Sequence, residues 1–267
     1  MTHLIVLRGG GDLASGVALR LHRTGFQVVI LELEKPLAVR RAVSFSEAVY
    51  EGTHTVEGVT ARLVSADQFQ VTLEAGEIPV LVDPHANILR NQFLISPQFT
   101  FVVDARLLKT APDPLEVNVP LHIGLGPGFS AGENCHAVIE TRRSHTLGRV
   151  YWSGATQPDS GQPDGDPRRV LRAPKTGILT AYAEIGDLLQ AGQLVADIGE
   201  EKITSPFDGV LRGIIRPDIE VLEGMKIGDV DPRSDTSACW LVSDKALSVG
   251  GGVLEAVLIK LNEINQN

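Results

Sequence analysis

The stretch that decides the fold is Leu4-Ile-Val-Leu-Arg-Gly-Gly-Gly-Asp-Leu-Ala-Ser-Gly-Val-Ala18. A short apolar run, Leu4 to Leu7, reads as a buried strand. Three glycines follow, and then an apolar-periodic segment that reads as a helix to about Thr24, stopped by Gly25. Phe26-Gln-Val-Val-Ile-Leu31 reads as a second strand, with Glu32 at its end. Gly9, Gly11 and Ala14 fit G-x-G-x-x-A, and Glu32 stands about 20 residues on, where a ribose-binding acid belongs. Glycine lets the backbone turn sharply and approach a ligand, and a helix start presents free N–H groups to an anion. Asp12, inside the loop, opposes a phosphate there, or serves only as the helix N-cap. Arg8, at the strand end, offsets its charge.

The totals bound the rest. With 267 residues the chain holds one large or two modest domains. An apolar fraction of 43% is enough for a packed core without disulfides or metal. Net charge is −9, with no long basic run, which argues against nucleic acid or an anionic membrane as main partner. The two cysteines, Cys135 and Cys239, suggest no disulfide framework and a reducing compartment. No apolar run reaches about 18 residues, so no membrane span is expected. The first strand begins at once, without a signal peptide before it, and the cytoplasm is the expected location.

Along the first half, Val43 to Tyr50 reads as an amphipathic helix ended by Gly52, preceded by Arg40 and Arg41 as a solvated face or an anion clamp. Thr60 to Val64 reads as a strand, and Ser65 to Leu73 as helix or strand. Ile78-Pro-Val-Leu-Val82 and Phe99-Thr-Phe-Val-Val103 read as strands ending in Asp83 and in Asp104 with Arg106. Apolar runs that do not alternate mark strands buried on both faces, hence a mostly parallel sheet with helices outside. Ligands bind beyond the carboxyl ends of such strands. Arg8, Glu32, Asp83, His85, Asp104 and Arg106 stand at such ends, lining a cleft or serving as caps and loop ion pairs.

A second glycine stretch, Ile123-Gly-Leu-Gly-Pro-Gly-Phe129, follows the strand-like Val119 to Ile123. Gly124, Gly126 and Gly128 offer a further set of approachable N–H groups. Then His136 and Glu140 share a face in either helix or strand. They read as a base with its orienter, two ligands of an incomplete metal site, or a satisfied surface pair. No Cys or His cluster with zinc spacing is present. Cys135 reads as a nucleophile, a sulfur carrier or a small core residue.

Pro158 to Pro167 reads as a flexible linker. Beyond it the chain repeats itself at an offset of 32 residues: Ala173-Pro-Lys-Thr-Gly177 aligns with Ser205-Pro-Phe-Asp-Gly209, and Gly192 to Ile198 with Gly224 to Val230. The motif resembles the half-barrels of biotinyl and lipoyl domains, small flattened β-sandwiches with a quasi-two-fold. Where those carry a modifiable lysine this chain has Ile198, so no covalent biotin or lipoate is expected. The tail from Cys239 reads as a strand and then an apolar-faced helix containing Gly250-Gly-Gly252. Glycines in a helix cost about 1 kcal/mol each, so three together argue for a break or close packing.

The expected fold is thus α/β: a Rossmann-like, mostly parallel sheet over residues 1–148, and a linker with an all-β barrel-sandwich domain over 149–238, its halves near 171–198 and 203–230. A C-terminal strand and helix over 239–267 would pack on the first domain.

Nearly the full length is similar to the accessory proteins of the selenium-dependent molybdenum hydroxylase system, whose Rossmann part is akin to that of xanthine dehydrogenase accessory factors. The matching stretches are Arg8 to Gly16, Glu32 to Arg41, Gly124 to Phe129, His136 to Thr141, Gly228 to Arg233, and Ser243 to Ala246 with Gly250 to Ala256. The resemblance implies a role in maturing a molybdenum hydroxylase client, without a settled reaction. The expected ligand is phosphate-bearing, NAD(P) or the molybdenum-pterin cofactor, held at Arg8, Gly9, Gly10, Gly11 and the helix start. Glu32 would hold a ribose or pterin edge, and Arg106 and His136 would line the cleft. The alternatives are an NAD(P)-dependent oxidoreductase of a small substrate and a non-enzymatic docking scaffold.

Overall fold

The computed structural model describes residues 3–91, 94–162 and 165–266. The chain divides into two compact units. Unit 1 comprises Met1–Pro36, Phe45–Asp159 and Val242–Asn267, and unit 2 comprises Leu37–Ser44 and Ser160–Leu241. The sequence places these boundaries at 148 and 238, with nothing of unit 2 before residue 149. Of the expected linker, Pro163 and Asp164 lie outside the described residues.

Unit 1 is built on strands β1 (Leu4–Arg8), β2 (Gln27–Glu32), β3 (Thr53–Val56), β4 (Val59–Leu63), β5 (Ile78–Val82), β6 (Thr100–Asp104), β7 (Leu121–Leu125), β8 (Ser130–Ala131), β9 (Ala137–Ile139), β10 (Val150–Tyr151) and β11 (Gly154–Ala155). Its helices are α1 (Asp12–Arg23), α2 (Ala48–Glu51), α3 (Phe69–Glu74) and α4 (Asp244–Gln266). Nine strands form one sheet in the order β10-β9-β7-β6-β1-β2-β5-β4-β3. All neighbours are parallel except the edge pairs β3/β4 and β9/β10. β1 sits between β2 and β6: on one side the chain lays down β2, jumps to the edge at β3 and works back to β5, and from β6 it builds on the other side. That reversal is a topological switch point, beyond whose carboxyl ends ligands bind in open α/β sheets.

Side chains alternate between the two sheet faces. Val6, Val29, Leu31 and Val102 face a core closed by Phe69, Leu73, Ile88, Leu89 and Ile95. The alternate residues, Ile5, Leu7, Val28 and Ile30, are fully buried on the other face. There α1 and α4 pack against each other through glycine. A Cβ on Gly16 would come within 2.6 Å of the Ala246 Cβ, and one on Gly250 within 2.8 Å of the Gly16 carbonyl oxygen. A Cβ on Gly252 would meet the Gly148 carbonyl. α4 therefore runs unbroken through all three glycines, and no strand forms at Cys239. That stretch is a 3-10 turn, Thr236–Cys239, started by the Asp235 side chain capping the Ser237 amide.

The helix expected over Val43–Tyr50 is also replaced. Two 3-10 turns, Arg41–Val43 and Phe45–Glu47, lead into the single turn of α2. The Phe45 amide donates to Ser15 Oγ at 2.8 Å and the Ser46 amide to the Gly10 carbonyl at 2.9 Å. Those donors are committed to the glycine turn rather than to a helix.

Unit 2 contains β12 (Val170–Arg172), β13 (Gly177–Ala181), β14 (Leu188–Leu189), β15 (Leu194–Ile198), β16 (Glu201–Thr204), β17 (Gly209–Ile214), β18 (Glu220–Val221) and β19 (Lys226–Asp231). They form two four-stranded sheets, β12-β19-β17-β14 and β16-β15-β13-β18. The 32-residue offset that joins Gly177 to Gly209 maps each strand of one sheet onto its counterpart in the other. Each half lends a short strand to its twin's sheet: β14 pairs with β17, and β18 with β13. One core lies between them, with Leu179, Val195, Leu211, Ile227 and Val230. Arg40 and Arg41 tie the Leu37–Ser44 segment into this unit. Arg40 donates to the Ala238 and Leu241 carbonyls, and Arg41 Nε to the Ile214 carbonyl at 2.7 Å. No described helix is long and apolar enough to cross a membrane.

Candidate functional site

β1 and β6 pair in register, and their last residues, Arg8 and Asp104, face each other at the switch point. Arg8 Nη1 donates to Asp104 Oδ2 at 3.2 Å, and Arg8 Nη2 reaches the Pro84 carbonyl at 3.4 Å. Arg106 folds back onto the same carboxylate, through Nε at 2.9 Å and Nη2 at 2.6 Å. Asp104 is fully buried and Arg8 nearly so, while the Arg106 side chain is 28% exposed. Two guanidiniums share this carboxylate, the Asp83 and Asp113 charges also act on Arg8, and Arg106 is the accessible cation of the group. Burial lowers the Arg8 pKa, and the Asp104 charge opposes that.

The glycine turn crosses the same end of the sheet. Gly9 has φ +96° and its amide donates to the Leu31 carbonyl at 2.8 Å. A Cβ on Gly10 would press on Ile30 and the Ser46 backbone at 3.0 Å. Gly11 is different: its φ is −66° and a Cβ there would meet nothing within 4 Å. The start of α1 is open at that point. Gly11 is the N-cap and Asp12 the first helical residue, not the cap. Glu32, at the end of β2, is buried beside the turn, and one oxygen, Oε2, has no hydrogen-bond partner among the described residues. Burial raises its pKa, against hydrogen bonds from the Leu33 and Gly10 amides.

The other expected residues are placed elsewhere or occupied. Asp83 accepts from the Asn87 and Ile88 amides and holds the turn after β5. A Cβ on Gly124 would enter the Phe129 ring, and one on Gly128 would strike the Leu108 and Thr110 carbonyls. The Gly126 and Gly128 amides already donate to the Ile139 and Leu108 carbonyls. The second glycine stretch thus closes around its own side chains. His136 and Glu140 do not pair. His136 is exposed, and its Nδ1 accepts the His122 amide at 2.8 Å. Glu140 is buried and accepts the amides of Arg142 and Gln157. Among the described residues no three His, Cys, Asp or Glu side chains converge as a metal site.

His122 escaped the sequence reading. It lies on β7 in register with Val102, so its side chain shares the face of Asp104. Burial pushes its pKa down to about 4, with Asp104 opposing and His136, Arg8 and Arg106 adding to the shift. Cys135 is buried next to Phe129 and Val138, and burial pushes its thiol up to about 11. A polar depression of about 590 Å3 at Ser96, Gln98 and Asn118 lies at the amino-terminal ends of β6 and β7, the opposite edge from this cluster.

No protein-family model matches the chain. It is 47% identical over 266 residues to an uncharacterized protein of Escherichia coli K12, YqeB, covering 97% of this chain and 48% of that protein. The chain therefore spans about half the length of this curated relative. Among solved structures, an aspartoacylase family protein from Mesorhizobium loti is 10% identical, over 86% of this chain and 84% of that one, with a TM-score of 0.27. The ectoine utilization protein EutE (DoeB) from Ruegeria pomeroyi, in its product-bound form, is 9% identical over 86% of this chain and 58% of that one, with a TM-score of 0.24. Likenesses at these scores carry nothing over to the chain.

Proposed function

We propose that this protein serves the maturation of a selenium-dependent molybdenum hydroxylase by holding a phosphate-bearing ligand, a dinucleotide or the molybdenum-pterin cofactor, beyond the ends of β1 and β6. The observation that carries the ligand reading is the arginine pair on Asp104, set at the switch point beside an α1 start left open at Gly11. The donor set suits such a ligand. Arg106 and the first amides of α1 would hold the anion. Glu32 Oε2, buried without a partner, would accept from a hydroxyl or ring N–H. The maturation role rests on the sequence resemblance and on the motifs that carry it, of which Arg8 to Gly16 supplies this turn.

The test is native mass spectrometry and thermal shift with NAD, NADP, ATP, CTP and molybdopterin-type ligands. A ligand at 100 times its Kd stabilises by about 2.7 kcal/mol, enough to raise Tm by a few degrees. Gly11→Asp is a clean control, because its backbone is ordinary and the space beside it is empty. It should fold as the parent does and lose the shift. Unchanged affinity in Gly11→Asp defeats the site, and no shift with any ligand favours a docking scaffold instead.

A further inference from the structure

His122 is a buried polar group of unit 1, on the sheet face of Asp104, that the ligand reading leaves unused. Its residue is 5% exposed. Its backbone is held in both directions by His136, whose amide donates to the His122 carbonyl at 2.8 Å and whose Nδ1 accepts the His122 amide at 2.8 Å. The Phe129 ring stands edge-on at 6.2 Å. That ring fills the space above Gly124, the residue in register with Asp104. The His122 backbone is therefore held in place, and its side chain lies one strand over from the arginine–carboxylate cluster and on its face of the sheet. Yet Nε2 is buried with no hydrogen-bond partner among the described residues. Most buried polar atoms are paired, so a buried imidazole nitrogen without a partner, beside a charged cluster, is a place for a ligand group to bond. The imidazole is neutral near pH 7, since burial keeps its pKa at about 4. At Nε2 it offers a hydrogen bond and no charge.

We infer that His122 Nε2 is a hydrogen-bonding subsite for the ligand of the arginine cluster, so that this ligand carries a hydroxyl or a heterocyclic hydrogen-bonding group beside its anionic group. The inference rests on the ligand reading above and narrows it. Inorganic phosphate satisfies the arginines alone. A nucleotide or a phosphorylated pterin satisfies the arginines and His122 together.

The experiment follows histidine side-chain nitrogens by NMR in the 15N-labelled protein while inorganic phosphate, ATP or NAD is added, with thermal shift in parallel. The expected result is that the His122 Nε2 resonance moves with ATP or NAD and stays in place with phosphate. His122→Gln should weaken the nucleotide about tenfold, the cost of one such hydrogen bond, and leave phosphate unaffected. A nucleotide that raises Tm without moving His122 overturns the subsite and leaves the ligand reading standing. Equal weakening of phosphate and nucleotide in His122→Gln also overturns it, since that is what a merely structural role produces. Failure of these probes and of the molybdopterin-type ligands to bind overturns both.

Discussion

Arg8 and Asp104 stand 96 residues apart in sequence and 3.2 Å apart in space, at positions that face each other across the β1–β6 ladder. The two charges are not equally replaceable. Arg106 also bonds Asp104 but can turn to water, whereas Arg8 cannot. Asp104→Ala should therefore cost about 3–5 kcal/mol, because it strands a buried guanidinium. The double variant Arg8→Met/Asp104→Leu should recover most of that loss. Arg106→Ala should cost no more than about 1 kcal/mol, as for an exposed pair. Urea denaturation measures all three, and an Arg106→Ala loss as large as that of Asp104→Ala contradicts the assignment.

The glycines of α4 separate two effects that look alike in sequence. Gly250 and Gly252 lie against backbone of α1 and of the loop before β10. A methyl on either should destabilise by about 1–3 kcal/mol through overpacking. Gly251 lies between them with nothing within 4 Å of a Cβ. There Gly251→Ala should stabilise by about 0.5–1 kcal/mol, the ordinary gain in a helix interior. Thermal melts of the three single variants check the order.

Much of this architecture is legible in the sequence because it is local. The strand, glycine turn, helix and strand around Gly9 to Gly11 follow from neighbouring residues. So does the internal repeat, whose offset maps one sheet of unit 2 onto the other. What stays hidden depends on contacts remote in sequence. Leu121-His-Ile-Gly-Leu125 reads as one more apolar strand, and only the register with β6 sets His122 beside Asp104. The segment from Phe45 to Glu47 carries helical periodicity, but Ser15 and Gly10 take its amides. Gly124 and Gly128 resemble a ligand-binding turn, yet Phe129 and the Leu108 carbonyl occupy the space that their missing side chains leave. The Leu37–Ser44 segment shows no shift in composition, and its membership of unit 2 is set by arginine bonds to distant carbonyls.

Cys135 should be inert as a thiol in the folded protein. Burial holds its pKa up at about 11, against hydrogen bonds from the Gly124, Ala137 and Ser130 amides. At pH 8 the thiolate fraction is then about a thousandth, and thiolate is the reactive form. Ellman's reagent should label neither Cys135 nor the buried Cys239 in the native protein, and both in denaturant. Rapid native labelling of Cys135 would restore the nucleophile and sulfur-carrier readings.

His122 should also set an acid limit on stability. Its folded pKa is about 4, below the ordinary value of 6.5. Between those two values the unfolded chain binds a proton that the folded protein does not, so falling pH favours unfolding. The contribution is fully present above pH 6.5 and is lost progressively as pH drops towards 4, up to about 3 kcal/mol. His122→Gln removes the titrating group and keeps a polar end in place of the ring. Its unfolding free energy should vary less with pH than the parent's between 4 and 6.5, and the two slopes should agree above 7. Parallel curves across the whole range would mean that His122 takes up its proton in the folded protein, and that the imidazole is not held neutral beside the arginine pair.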